Sequence, residues 1–153
     1  MTNRSLVCGA AISVAAAFIQ HGAFPWKAGD PPPVVGGLHL GATRARMDSV
    51  LGLPSDSQHI ALDGWAYNFR SKGVSVIYAP LDGASIIYLT RRDAGDIDGV
   101  RPGDLKRDVL ARWGQPTTVG GLNSLYVAGN WVVVVTFDST RSSVTRLGVG
   151  RTS

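Results

Sequence analysis

"GLHLGATRARMDSVLGLP" (residues 37–54) and "GVRPGDLKRDVLARWGQP" (99–116) carry the same punctuation at an offset of 62 positions. Gly37 corresponds to Gly99, Gly41 to Gly103, Gly52 to Gly114 and Pro54 to Pro116, with no gap inside either stretch. In the first stretch Thr43 is a suitable helix N-cap, because its hydroxyl can accept from a free backbone N–H. Met47, Val50 and Leu51 follow at helical spacing. Gly52 can take the left-handed conformation that ends a helix, and Pro54 blocks continuation. The pattern predicts a short amphipathic helix over 43–51. In the second stretch Asp104 is the expected cap, its charge favoured at a helix N-terminus. Leu105, Val109 and Trp113 form the apolar stripe there, and Arg112 stands where Val50 does.

After each helix the apolar period changes to two. "WAYNFR" (65–70) alternates, with Trp65, Tyr67 and Phe69 on one side. A turn at 71–73 leads into "VSVIYA" (74–79), and Asp82-Gly83 turns the chain into "ASIIYLTR" (84–91). The second half repeats this with "SLYV" (124–127), a turn at Gly129-Asn130, "WVVVVTF" (131–137), a loop at 138–142 and "SVTRLGV" (143–149). "SQHIAL" (57–62) is a candidate fourth strand of the first half. The expected fold class is α+β: two tandem α-β-β-β units forming one antiparallel sheet, with short helices on one face. The units span 37–92 and 99–153, joined by a linker at 93–98.

Upstream, "MTNR" precedes the apolar run "LVCGAAISVAAAFI" (6–19). That run is shorter than the about 20 residues a membrane-spanning helix needs. Residues 1–23 therefore read as a signal peptide, with cleavage after Ala17 or Ala23, or as an uncleaved anchor. "FPWKAGDPPPVV" holds four prolines, so 24–36 reads as an extended Pro-rich linker. The implied localisation is periplasmic or secreted.

Leu40-Gly41-Ala42-Thr43, Val50-Leu51-Gly52-Leu53-Pro54 and Trp65-Ala66-Tyr67 resemble the pattern of the SmpA/OmlA (BamE-like) family. Used twice, the unit resembles the β-lactamase inhibitory protein (BLIP) fold. The resemblance implies a non-catalytic protein-binding module of the cell envelope, whose partner is another envelope or secreted protein, with peripheral association with the outer membrane. A β-lactamase inhibitor and a small-ligand-binding envelope protein are the alternatives. The chain departs from both families in its cysteine usage. Its single cysteine, Cys8, lies inside the leader and follows Val7, so it makes no lipidation site, and the mature chain can form no disulfide.

The formal charge of +4 comes from dispersed arginines rather than a basic run, so nucleic acid is not an expected partner. His21, His39 and His59 lack metal-ligand spacing, and no nucleophile motif is present. "DAGDIDG" (93–99) fails the calcium-loop pattern at Ala94 and Leu105. No catalytic, cofactor-binding or metal-binding residue is assigned. If Trp65, Tyr67 and Phe69 face the helices, alternation turns Asn68, Arg70, Tyr88, Thr136 and Arg146 to the uncovered face, where they are the candidate protein-binding residues. The reverse assignment would expose Trp65 and Tyr67 instead.

Overall fold

The computed structural model describes residues 22–152. The signal-peptide reading and Cys8 therefore lie outside the described residues, save Gly22 and Ala23. Two helices, α1 (Arg44–Leu51) and α2 (Lys106–Trp113), are each followed by four strands. These are β1 (Asp56–Ile60), β2 (Gly64–Phe69), β3 (Val74–Ala79) and β4 (Gly83–Leu89), then β5 (Thr118–Gly120), β6 (Asn123–Ala128), β7 (Trp131–Phe137) and β8 (Val144–Arg151). A 3-10 turn occupies Arg92–Ala94.

The paired glycines of the two stretches have a local purpose. Gly36-Gly37 and Asp98-Gly99 form two-residue turns with positive φ at both positions (58° and 78°, 48° and 80°). That geometry matches a tight hairpin and favours glycine. The turns bring Val35 onto Leu38 and Ile97 onto Val100 through reciprocal backbone hydrogen bonds of 2.9–3.1 Å, and all four side chains are buried. Ile97, within the expected linker, is thus a core residue.

α1 starts as its sequence suggests: Thr43 Oγ1 accepts from Arg46 N–H at 3.2 Å, and Met47 and Leu51 are buried. α2 starts differently. Its N-cap is Leu105, which makes no side-chain cap bond. Asp104 turns back to accept from Arg101 N–H at 2.9 Å and from the Arg92 guanidinium at 2.5 Å. The free helix donor is met instead by the loop after β7, where Ser142 O accepts from Lys106 N–H at 2.8 Å. Leu105, expected in the buried stripe, is 39% exposed.

The strands form a single antiparallel sheet in the order β1-β2-β3-β4-β8-β7-β6-β5. The expected fold class of two tandem α-β-β-β units is corrected on this point. Each half contributes four strands, because Asp56–Ile60 and Thr118–Gly120 pair as edges. The halves do not stand as units, since β4 and β8 pair through Ile86↔Gly150 to Leu89↔Leu147 and make one continuous eight-stranded body. Two eight-residue helices are a minor part of it.

Residues opposed across antiparallel strands share a face. Phe69, Val74, Val76, Ile87, Leu89, Leu147, Val149, Val133, Val135 and Tyr126 line one face and merge with Met47, Leu51, Val109 and Trp113 into one core. The stretch 24–36, read as a spacer, lies on this side. Phe24 stacks on Tyr126 with centroids 5.2 Å apart and meets Trp113 edge-on, while Trp26 meets Trp131. Trp131 Nε1 donates to Asp30 O at 2.8 Å. The Tyr126 hydroxyl donates to Gly114 O at 2.9 Å, and burial pushes its pKa up to about 12.

Candidate binding face

The other face of the sheet carries a second, separate apolar cluster. Register places Asn68, Ser75, Tyr88, Gly148, Val134 and Leu125 in one row crossing the strands. A neighbouring row runs Ala66, Ile77, Ile86, Gly150, Val132 and Val127. Tyr88, Val132 and Val134 are buried against one another, with Ile77, Ile86 and Leu125 packed around them. The buried side chains of α1 and α2 all belong to the opposite core, so neither helix covers this face.

Gly148 sets the shape of the face. A Cβ there would stand 2.5 Å from Tyr88 Cδ1 and 2.6 Å from Ile87 O, closer than real contacts allow. Its hydrogen lets the Tyr88 ring lie flat across β8, with the Arg146 guanidinium 4.5 Å above the ring centroid. Aliphatic side chains from β4 and β7 then flank a strip of β8 that carries no side chain at 148 or 150.

Strand register and alternation put Asn68, Tyr88, Thr136 and Arg146 on this side of the sheet, and Arg70, just past β2, pairs with Asp56 at its β1 edge; the five fall into two groups. Tyr88 and Arg146 stack together beside the apolar cluster. Asn68 and Arg70 belong to a polar network at the β1 side: Asn68 Nδ2 donates to Asp56 at 2.5 Å, Ser75 Oγ donates to Asn68 Oδ1 at 2.8 Å, and Arg70 pairs with Asp56 at 2.8 Å. Thr136 donates to Asn123 Oδ1 at 2.7 Å, next to Arg146 in register. Val132, Val134, Ile77, Ile86, Leu125 and Gly148 were not among the expected residues. The signal for them lies in the unbroken apolar run of "WVVVVTF", where alternation would leave one face polar, and in the Gly-x-Gly inside a strand rather than a turn.

Trp65 and Tyr67 lie on the helix side, yet Trp65 keeps 36% of its surface exposed at the β1–β2 margin. Arg44 sits 4.0 Å over the Tyr67 ring while pairing with Asp48 at 2.9 Å, and His59 meets Trp65 edge-on. The carboxylates of the 93–104 loop are individually engaged by arginines. Arg91 takes Asp93, Arg101 takes Asp96 at 3.7 Å, Arg112 takes Asp98 at 3.2 Å and Arg92 takes Asp104. Asp138 accepts from Ser142 N–H and from the Thr140 and Ser143 hydroxyls, donors that hold its carboxyl well below the usual range.

No family model and no curated protein sequence matches the chain. The solved structures that resemble it include these three. One is a cysteine-rich secretory protein from Staphylococcus aureus, at a TM-score of 0.60 and 12% identity over 85% of this chain and 50% of that one. Another is an extracellular protein containing an SCP domain from Bacillus anthracis, at a TM-score of 0.58 and 12% identity over 73% of this chain and 44% of that one. The third is a DUF4309 family protein from Bacillus subtilis, at a TM-score of 0.53 and 15% identity over 79% of this chain and 86% of that one. The chain thus spans about half the length of the first two or less. The resemblance to SmpA/OmlA and BLIP, and with it the BLIP-like fold class, is corrected by these findings. Glycine-capped helices beside alternating strands are local features that several sheet folds share. The likeness reaches the fold, and it runs to these extracellular and DUF4309 proteins.

Proposed function

We propose that this protein is a non-catalytic, extracytoplasmic protein-binding module that docks a partner on the helix-free face of its sheet. One observation carries the reading: Tyr88, Val132 and Val134, with Ile77, Ile86 and Leu125, form an apolar cluster apart from the core, on the face the helices leave uncovered. The rim of that cluster reaches solvent: Ile77, Ile86 and Leu125 are half-buried and Val127 beside them is 38% exposed, and apolar side chains left at the surface in one place are the kind a partner covers. Tyr and Arg, stacked here as Tyr88 and Arg146, are residue types enriched at interface hot spots. Secretion is supported by the leader-like residues 1–23 and by the extracellular or secretory descriptions of two structural neighbours. No helix among the described residues is long and apolar enough to cross a membrane.

Val134→Asp tests the reading. A carboxylate at the centre of the cluster abolishes co-isolation of the partner from native extracts, while circular dichroism of the variant stays that of a folded sheet protein. Retained co-isolation with the folded variant would show that the partner binds elsewhere.

A further inference from the structure

We infer that the partner presents a carboxylate to Arg146, on a protein segment whose flanking side chains are aliphatic or aromatic. The inference rests on the docking reading above and adds the chemistry of the partner. Of the charged side chains on the helix-free face, Asp56 and Arg70 neutralise each other at 2.8 Å. Arg146 has no acidic partner among the described residues. Its guanidinium nevertheless has a defined place, stacked over a Tyr88 ring that Gly148 lets lie flat. Its central carbon lies 4.5 Å over the ring centroid and the side chain is exposed, so its N–H groups are open to a carboxylate, the planar acceptor that a guanidinium fork matches with two hydrogen bonds.

The surroundings narrow the donor of that carboxylate. Ile77, Ile86 and Leu125 pack half-buried around the cluster of Tyr88, with the exposed Val127 in the adjoining row, and they match apolar side chains. Asn68 is bonded to Asp56 Oδ1 and Ser75, Asp56 Oδ2 is held in the ion pair with Arg70, and Thr136 is bonded to Asn123, so these groups make few demands on a partner. An anionic lipid surface is recognised by clusters of several cations. A single fixed guanidinium among aliphatic groups fits one acidic side chain, or a chain terminus, of a protein.

A displayed library of short random peptides, panned on the purified chain, tests this directly. The enriched peptides should share an Asp, a Glu or a free C-terminus between apolar residues. Their affinity should fall roughly tenfold or more for Arg146→Gln and for the peptide's own Asp→Asn change, since a charged hydrogen bond is lost in each case. Arg146→Lys should recover part of the loss, and the melting temperature of Arg146→Gln should stay near wild type because the side chain is exposed. Enriched peptides without a carboxylate, no enrichment, or binding indifferent to Arg146→Gln would overturn the inference. So would Arg146-dependent binding to phosphatidylcholine–phosphatidylglycerol vesicles in place of peptides. Peptides that lose binding with Val134→Asp but not with Arg146→Gln would remove the carboxylate and leave the docking face standing.

Discussion

Strand β7 fills two faces with one run of valines, and their fates differ. Val133 and Val135 point under the helices and are sealed at 0% exposure, as are Leu147 and Val149 beside them. Val132 and Val134 point the other way, keep 8% and 9% exposure, and meet Tyr88 at 9% rather than a covering layer. The first face is closed by α1, α2 and the aromatic arm around Phe24 and Trp26. Among the described residues the second is closed by its own neighbours. Burial on the first face serves folding, whereas on the second the half-buried Ile77, Ile86 and Leu125 and the exposed Val127 around the buried centre leave apolar area that a partner can remove from water.

Substitutions on the two faces sharpen the contrast. Trp113→Ala opens a cavity beneath the helices and removes the 3.0 Å hydrogen bond from Nε1 to Asp98, so urea denaturation should show a loss of about 3–5 kcal/mol. Leu125→Ala on the helix-free face should cost about 1 kcal/mol, in line with an ordinary partly buried site. Equal losses would erase the distinction between the faces. Gly148→Val places a side chain where the Tyr88 ring lies, and overpacking should cost about 1–3 kcal/mol. Tyr88→Ala in the same chain should recover part of that cost, and additive effects in the double-mutant cycle would show that Gly148 does not hold the ring.

Smaller effects separate the two helix starts. Thr43→Ala removes the bond to Arg46 N–H and should cost about 1 kcal/mol. Leu105 makes no cap bond, so Leu105→Ala should leave the start of α2 in place, as read by amide exchange of Lys106. The Asp138 loop, which supplies Ser142 to that start, makes a pH prediction. Its carboxyl titrates lower folded than unfolded, so its contribution is full above the usual carboxylate pKa and disappears as pH falls through the folded value. The stability gap between wild type and Asp138→Asn should therefore be constant near neutrality and close on acidification. A gap that widened in acid would contradict the hydrogen-bonded carboxylate.

Much of the local structure was legible in the residues. Thr43, Gly52 and Gly114 bound the helices, and "VSVIYA" and "WVVVVTF" are strands over the same residues. Alternation from Trp65, Tyr67 and Phe69 placed Asn68, Tyr88, Thr136 and Arg146 on the far face, because side-chain period two needs no tertiary information. One shared sheet was expected, but the strands that join the halves were not legible: β4–β8 pairing is a long-range choice between two apolar strands, and resemblance at the helix punctuation pointed to other families. Asp104 misled because an Asp before a helix can close its own turn as readily as cap the helix. The apolar half of the candidate face went unseen because aliphatic residues in strands are usually core, and here the same residue type serves both sides.

Val127 and Leu105 offer the most direct comparison, since they are equally exposed, at 38% and 39%, but Val127 borders the helix-free cluster and Leu105 sits at the start of α2. A photo-crosslinking amino acid placed at each in turn, in the producing cells, reports which surface a partner covers. The docking account predicts one discrete adduct from position 127, lost with Val134→Asp, and none from position 105. Adducts from position 105 alone, or from neither, would contradict it.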